Sequence, residues 1–205
     1  MRERRVFKAE LRKSGDDGRK ISGTAVVFNQ RSENLGGYVE QIDPAAFDGC
    51  DMSDVRCLFN HSDNMVLGRS ASNTLTLSRD INGVTFECNP PDTSYARDLA
   101  ACMDRGDIDQ CSFSFTVAPG GSTWTEPADA SGVTVRTVKK ISRLWDVSVV
   151  TFPAYPQTSS EIRSNADILS EKQTAPPATE GGGVDFQISL DSLRRKLDLA
   201  FNEHV

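Results

Sequence analysis

Three features of the amino-acid sequence predict a mainly β chain with a few helices, an α+β fold. Short segments rich in Val, Ile, Thr and Phe alternate apolar and polar residues with the period of two that a half-buried strand requires. Turn-forming residues separate them, and one stretch among them carries apolar residues near helical spacing. The predicted strands are Ser22 to Asn29, Tyr38 to Ile42, Val55 to Asn60, Thr74 to Ser78, Val84 to Cys88, Cys111 to Val117, Val133 to Ile141 and Leu144 to Phe152. Asn82-Gly83, between the fourth and the fifth, signals a two-residue hairpin. Strands this short and closely spaced suit a barrel or sandwich rather than a parallel α/β sheet. The helix is expected between Asp92-Thr93-Ser94, which offers capping groups, and Gly106, which can end it in a left-handed conformation. Tyr95, Leu99 and Met103 recur along it. A fainter signal marks a short helix from Pro44 to Phe47.

The 205 residues suit one globular domain with something appended. That domain is expected to end near Pro156, where the composition changes. Residues 157–183 are rich in Ser, Thr, Ala, Pro and Gly, including Ala175-Pro176-Pro177-Ala178 and Gly181-Gly182-Gly183, and read as a flexible linker. Residues 184–205 read as an amphipathic helix, with Leu190, Leu193, Leu197 and Phe201 on one stripe and Arg194, Arg195 and Asp198 off it. Such a helix either docks back on its own domain or is offered to a partner.

Charge and hydropathy narrow the function classes. No apolar run approaches the roughly 20 residues that span a bilayer. The basic opening is interrupted by Lys8, Glu10, Arg12 and Lys13, where a signal peptide would need an apolar stretch. A net charge of -6 argues against a protein that tracks nucleic-acid phosphates. Neither a membrane nor a nucleic acid is therefore expected as partner. Five cysteines at 50, 57, 88, 102 and 111 include no C-x-x-C pair, and only His61 and His204 supply imidazoles. A disulfide framework and a zinc site are both unsupported, and reduced cysteines are expected.

Three residues could carry chemistry together. In Cys111-Ser112-Phe113-Ser114-Phe115-Thr116-Val117, alternation puts Ser112, Ser114 and Thr116 on one face, toward a cleft or solvent, and Cys111, Phe113 and Phe115 on the other. Taken alone, such serines are more often solvated surface residues. His61 ends the strand Val55 to Asn60 in phase with Val55, Cys57 and Phe59, which places it on the buried face. It is the one histidine of the strand-rich region, so any Ser-His chemistry there must use it as the base; the alternative is a histidine bonded to a backbone carbonyl. Asp146 sits inside the apolar strand Leu144 to Val150, where a carboxylate is costly unless paired. It could hold the imidazole tautomer, or it could be an edge-strand charge pointing outward. Asp63, two residues from His61, is its nearest rival.

Five ordered segments carry a resemblance to a known family. They are Gly23 to Asn29, Asp43-Pro44-Ala45-Ala46-Phe47, Leu58 to Asp63 with Leu67-Gly68-Arg69, Asp104 to Phe115, and Leu144 to Pro156. Together the sequence resembles the prohead maturation proteases of tailed bacteriophages, serine peptidases with a fold like that of the herpesvirus capsid protease. The resemblance implies a closed or partly open antiparallel β-barrel. It places the catalytic histidine on His61, the nucleophile on Ser112 and a third, acidic member on Asp146. It implies no cofactor and no metal. The implied substrates are the scaffold and the major capsid protein, with self-cleavage in the flexible stretch, inside the assembling prohead in the host cytoplasm. A homodimer follows only by analogy with the herpesvirus enzymes. Two departures stand out: Ser114 replaces the glycine usual two residues after the nucleophile, and the histidine motif reads His61-Ser62-Asp63. An inactive capsid-assembly or scaffold protein on the same barrel is the competing expectation. A Cys111 nucleophile is disfavoured because alternation turns it away from Ser112.

Overall fold

The computed structural model describes residues 2–7, 11–14, 20–35, 37–125 and 132–152. The expected linker at 157–183, the amphipathic helix at 184–205 and the Pro153 to Pro156 part of the last motif lie outside the described residues. In chain order the strands are β1 (Glu3–Phe7), β2 (Leu11–Ser14), β3 (Lys20–Val27), β4 (Tyr38–Ile42), β5 (Arg56–Phe59), β6 (Val66–Arg69), β7 (Leu75–Arg79) and β8 (Gly83–Cys88). A helix, α1 (Ser94–Arg105), precedes β9 (Gln110–Val117), β10 (Ser122–Thr125), β11 (Thr134–Val138) and β12 (Ile141–Val150). The chain is therefore mainly β with one α-helix, and two short 3-10 turns at Pro44–Phe47 and Ser70–Ser72 complete it among the described residues.

The strands form three sheets, ordered β1-β9-β12-β5-β6, β10-β11-β4 and β2-β3-β8-β7. Among the described residues these ladders do not join into a barrel, so closure is not observed. Nor is the pairing purely antiparallel: β11 runs parallel to β4, and β12 parallel to β5. Packing between sheets, rather than ladder closure, makes the core. Phe113, Phe115, Val147 and Val149 from the five-stranded sheet meet Ile21, Val26, Val84 and Phe86 from the four-stranded sheet, with Leu99 of α1 in the same cluster. Each fully buried side chain of this size contributes roughly 1.5–3 kcal/mol relative to exposure.

Several local expectations hold, some for a different reason. Gly106 ends α1 at φ 78°, with its N–H reaching Cys102 and Met103, whereas Thr93 at the N-cap position makes no side-chain capping bond, so the expected hydroxyl cap is not formed. Asp43 caps the Pro44 turn by accepting from Ala45 N. The β7–β8 hairpin forms, but neither Asn82 nor Gly83 has positive φ. Asp80 Oδ1 instead accepts both their N–H groups at 2.7 and 2.9 Å. Gly83 is required by proximity: a Cβ there would lie 2.0 Å from the Val26 carbonyl oxygen of the neighbouring strand.

The long run predicted from Val133 to Ile141 is two strands. Lys139 and Lys140 both donate backbone N–H to Gly121 O, at 2.7 and 2.9 Å, and this breaks the run between β11 and β12. Strands β1, β2, β6 and β10 are additional to those predicted. β1 shows why: Glu3-Arg4-Arg5 is a run of charges in the basic opening, yet Glu3 and Arg5 are buried. They find opposite charges there. Arg5 bonds Glu40 of β4 at 2.7 and 3.0 Å and Glu3 at 2.8 Å. Arg136 of β11 bonds Glu3 and Glu40, each at 2.6 Å. Two carboxylates and two guanidiniums thus cancel in the interior, tying β1 to the three-stranded sheet.

Candidate active site

Two adjoining strands of the five-stranded sheet supply most of the site. In the β9–β12 ladder Ser112 stands opposite Ser148 and Ser114 opposite Asp146, so these four share one face. Cys111, Phe113, Val147 and Val149 take the other face, in the core. Strand alternation alone does not produce this arrangement. The register slips between Leu144 and Asp146, leaving Trp145 as the extra residue of a bulge. Leu144, opposite Phe115, belongs to the core; the bulge then sets Asp146 opposite Ser114 rather than opposite Phe113.

The third side chain arrives through a turn. Asn60 and His61, just past β5, both have left-handed backbone, at φ 53° and 54°. Ser62 N donates to Phe59 O at 3.0 Å, closing a turn with two positive-φ central residues, as type I′ requires. Asn tolerates that conformation, and Asn60 is held further by Thr151, through a 3.1 Å bond from Nδ2 and a 2.9 Å bond to Oδ1. A continued strand would have kept His61 in phase with Cys57 and Phe59, which pair with Val147 and Val149 on the core side. That expectation is corrected: the turn carries the ring over the hydroxyl face instead.

There the three predicted residues meet. His61 Nε2 lies 2.6 Å from Ser112 Oγ, and Nδ1 lies 2.6 Å from Asp146 Oδ1. Asp146, not Asp63, therefore sits at the ring. Nor is Asp146 an edge charge, since β12 is the middle strand of its sheet and the carboxylate is buried. The hydroxyl face is covered rather than open, with Ser112, Ser114, Asp146 and Ser148 all at 0% exposure. One covering contact is the Arg5 carbonyl of β1, which accepts from Ser112 Oγ at 3.1 Å. A hydroxyl has one proton, so Arg5 O and His61 Nε2 compete for it.

Two further side chains complete the surroundings of Asp146, and sequence reasoning missed both. Ser148 donates to Asp146 Oδ1 at 2.7 Å and stands 3.1 Å from His61 Nδ1. Its place two residues after Asp146 on the same strand was the available signal. Arg2 bonds Asp146 Oδ2 through Nη2 and Ser114 Oγ through Nε. No local pattern links Arg2 to residues more than a hundred positions away. Burial alone would push the Asp146 carboxyl up. The hydrogen bonds and charge of His61, with Ser148 and Arg2, outweigh it and hold the carboxyl below its ordinary value. Cys111 has the opposite balance: burial pushes its thiol up to about 12, and it faces the core.

A family model described as caudovirus prohead serine protease matches residues 7–172. The chain belongs to that family. No curated protein and no solved structure matches it. Membership in the prohead serine protease family implies a serine peptidase of capsid maturation, and in such an enzyme a buried Ser-His-Asp cluster is the natural place to look for the chemistry. Among the described residues, no group of three or more His, Cys, Asp or Glu side chains is placed to hold a metal ion.

Proposed function

We propose that the chain is a serine endopeptidase in which Ser112 is the nucleophile, His61 the general base and acid, and Asp146 the residue that orients the imidazole. The carrying observation is the unbroken run of contacts Ser112 Oγ, His61 Nε2, His61 Nδ1, Asp146 Oδ1, each step at 2.6 Å outside the ring. With Nδ1–H donating a hydrogen bond to the carboxylate, Nε2 is left as an acceptor for the Ser112 hydroxyl. Attack of Ser112 Oγ on a scissile carbonyl passes that proton to Nε2, and His61 then delivers it to the leaving amine. Water, deprotonated by the same ring, releases the acyl group. For this the Ser112 proton must leave the Arg5 carbonyl, and the covered hydroxyl must be opened to the substrate.

The substrates proposed are the scaffold and the scaffold-like N-terminal region of the major capsid protein, cut inside the assembling prohead in the host cytoplasm. Self-cleavage in the stretch after Pro156 accompanies them, and the kinship with the herpesvirus capsid protease belongs to the same reading. Mass spectrometry of the purified wild-type chain against Ser112→Ala tests it. A shortened C-terminus in the wild type alone is expected, and a Ser112→Ala chain that still shortens overturns the nucleophile.

The full burial of Ser112 favours a second reading, an inactive capsid-assembly protein on the same fold. A serine-reactive phosphonate separates the two, because an inactive chain leaves Ser112 unlabelled.

A further inference from the structure

We propose that Arg2 is a positioning residue of the site, a cation that clamps the outer oxygen of Asp146 and so sets how readily the Asp146-His61 pair takes up a proton. The inference rests on the peptidase reading for its meaning but not for its geometry. Asp146 is buried and its two oxygens are divided: Oδ1 meets His61 and Ser148, and Oδ2 meets the Arg2 guanidinium. The same guanidinium is anchored twice more. Its Nε bonds Ser114 Oγ, and its carbon lies 5.7 Å from the centroid of the Trp145 ring. Trp145 is itself fixed by a 2.9 Å bond from Nε1 to Thr116 Oγ1. Arg2 thus reaches the carboxylate from a site prepared by β9 and by the β12 bulge.

The charges around the pair give Arg2 its particular weight. On its own face Asp146 has His61 from the turn after β5, Arg2 ahead of β1, Arg4 in register with Ser114, and Arg56 as its β5 partner. Arg56 is engaged elsewhere, by Asp54 at 2.9 Å. Cys57 and Cys111, behind the sheet, are neutral thiols: the hydrogen bond with Cys88 and then burial hold Cys57 up, and burial holds Cys111 up. Arg2 is therefore the cation bonded to the carboxylate. A cation there stabilises the carboxylate, so removing it makes the carboxylate, and the pair it forms with His61, easier to protonate.

The test uses the full chain and a serine-reactive phosphonate, scanned over pH for wild type, Arg2→Ala, Arg2→Lys and Ser114→Gly. Because the Arg2 side chain is 39% exposed, Arg2→Ala is expected to stay folded, which a thermal melt checks. In Arg2→Ala the acid limb of the labelling rate should move up by about one pH unit, roughly a tenfold loss of rate below it. Arg2→Lys should recover part of the shift, and Ser114→Gly should show a smaller one in the same direction. A second readout does not need activity: the Asp146 carboxyl carbon, assigned by its loss in Asp146→Asn, should titrate higher in Arg2→Ala than in wild type. An unmoved acid limb beside an unmoved Asp146 titration overturns the proposal. So does a rate lost equally at every pH with that titration unchanged, which would mean a merely structural role. If the wild type is not labelled at all, the peptidase reading fails, while the Asp146 titration still decides the role of Arg2.

Discussion

Ser148 donates its hydroxyl proton to Asp146 Oδ1 at 2.7 Å, the same oxygen that faces His61 Nδ1 at 2.6 Å. It also stands opposite Ser112 in the ladder, so one small side chain steadies Asp146 beside the strand that carries Ser112. Ser148→Ala removes a hydrogen bond to a charged group, worth about 1.5–3 kcal/mol. The expected result is phosphonate labelling of Ser112 slowed about tenfold or more at neutral pH, with a chain that still unfolds cooperatively. Labelling at the wild-type rate would show that Asp146 needs no help from Ser148.

The turn at Asn60 should be sensitive to substitution, because it sets the position of His61. Its φ of 53° and its two bonds to Thr151 suit Asn, whereas Ala at positive φ is strained by about 1–2 kcal/mol per residue. Asn60→Ala should lower the urea midpoint and slow labelling of Ser112 together, because the strain is placed next to His61. Asn60→Gly should restore the backbone but not the Thr151 bonds, giving an intermediate midpoint.

The buried charge cluster makes the N-terminal strand part of the fold. Glu40 is fully buried and bonds both Arg5 and Arg136. Glu40→Ala leaves two buried guanidiniums sharing one carboxylate and should cost about 3–5 kcal/mol in urea unfolding. A loss below about 1 kcal/mol would mean that β1 is not held by these pairs.

Alkaline pH should expose the same region. Burial, reinforced by Glu40 and only partly offset by Arg5, pushes the Tyr38 phenol up to about 12 from its ordinary 10.0. The folded state therefore keeps this proton where the unfolded chain loses it. The contribution is whole below pH 10 and is lost as pH rises toward 12, on the order of 3 kcal/mol. Tyr38→Phe should flatten the stability curve between pH 10 and 12, measured by urea midpoints; an equally steep fall would assign it to other groups.

The residue types of the site were legible because each breaks a local pattern. Ser112 lies in an alternating strand, Asp146 is a carboxylate in an apolar run, and His61 is the lone imidazole of the strand-rich region. Their phases were not legible. His61 was expected on the core side until the paired left-handed residues turned it over, and Asp146 reaches the hydroxyl face only through the Trp145 bulge. Strand β1 was hidden for a related reason: its charges look solvated until Glu40 and Arg136 are placed beside them.

Read alone, the sequence was sufficient for the mainly β class, most strand positions, the helix that Gly106 ends and three residues that the fold brings together. These depend on alternation, caps and composition, which are local. Tertiary structure decided the three separate sheets, the parallel pairings, the covering of Ser112 by Arg5 and the Arg2 contact with Asp146. All four are pairings between distant segments. The free energy of such a pairing belongs to both partners, so neither segment carries it by itself.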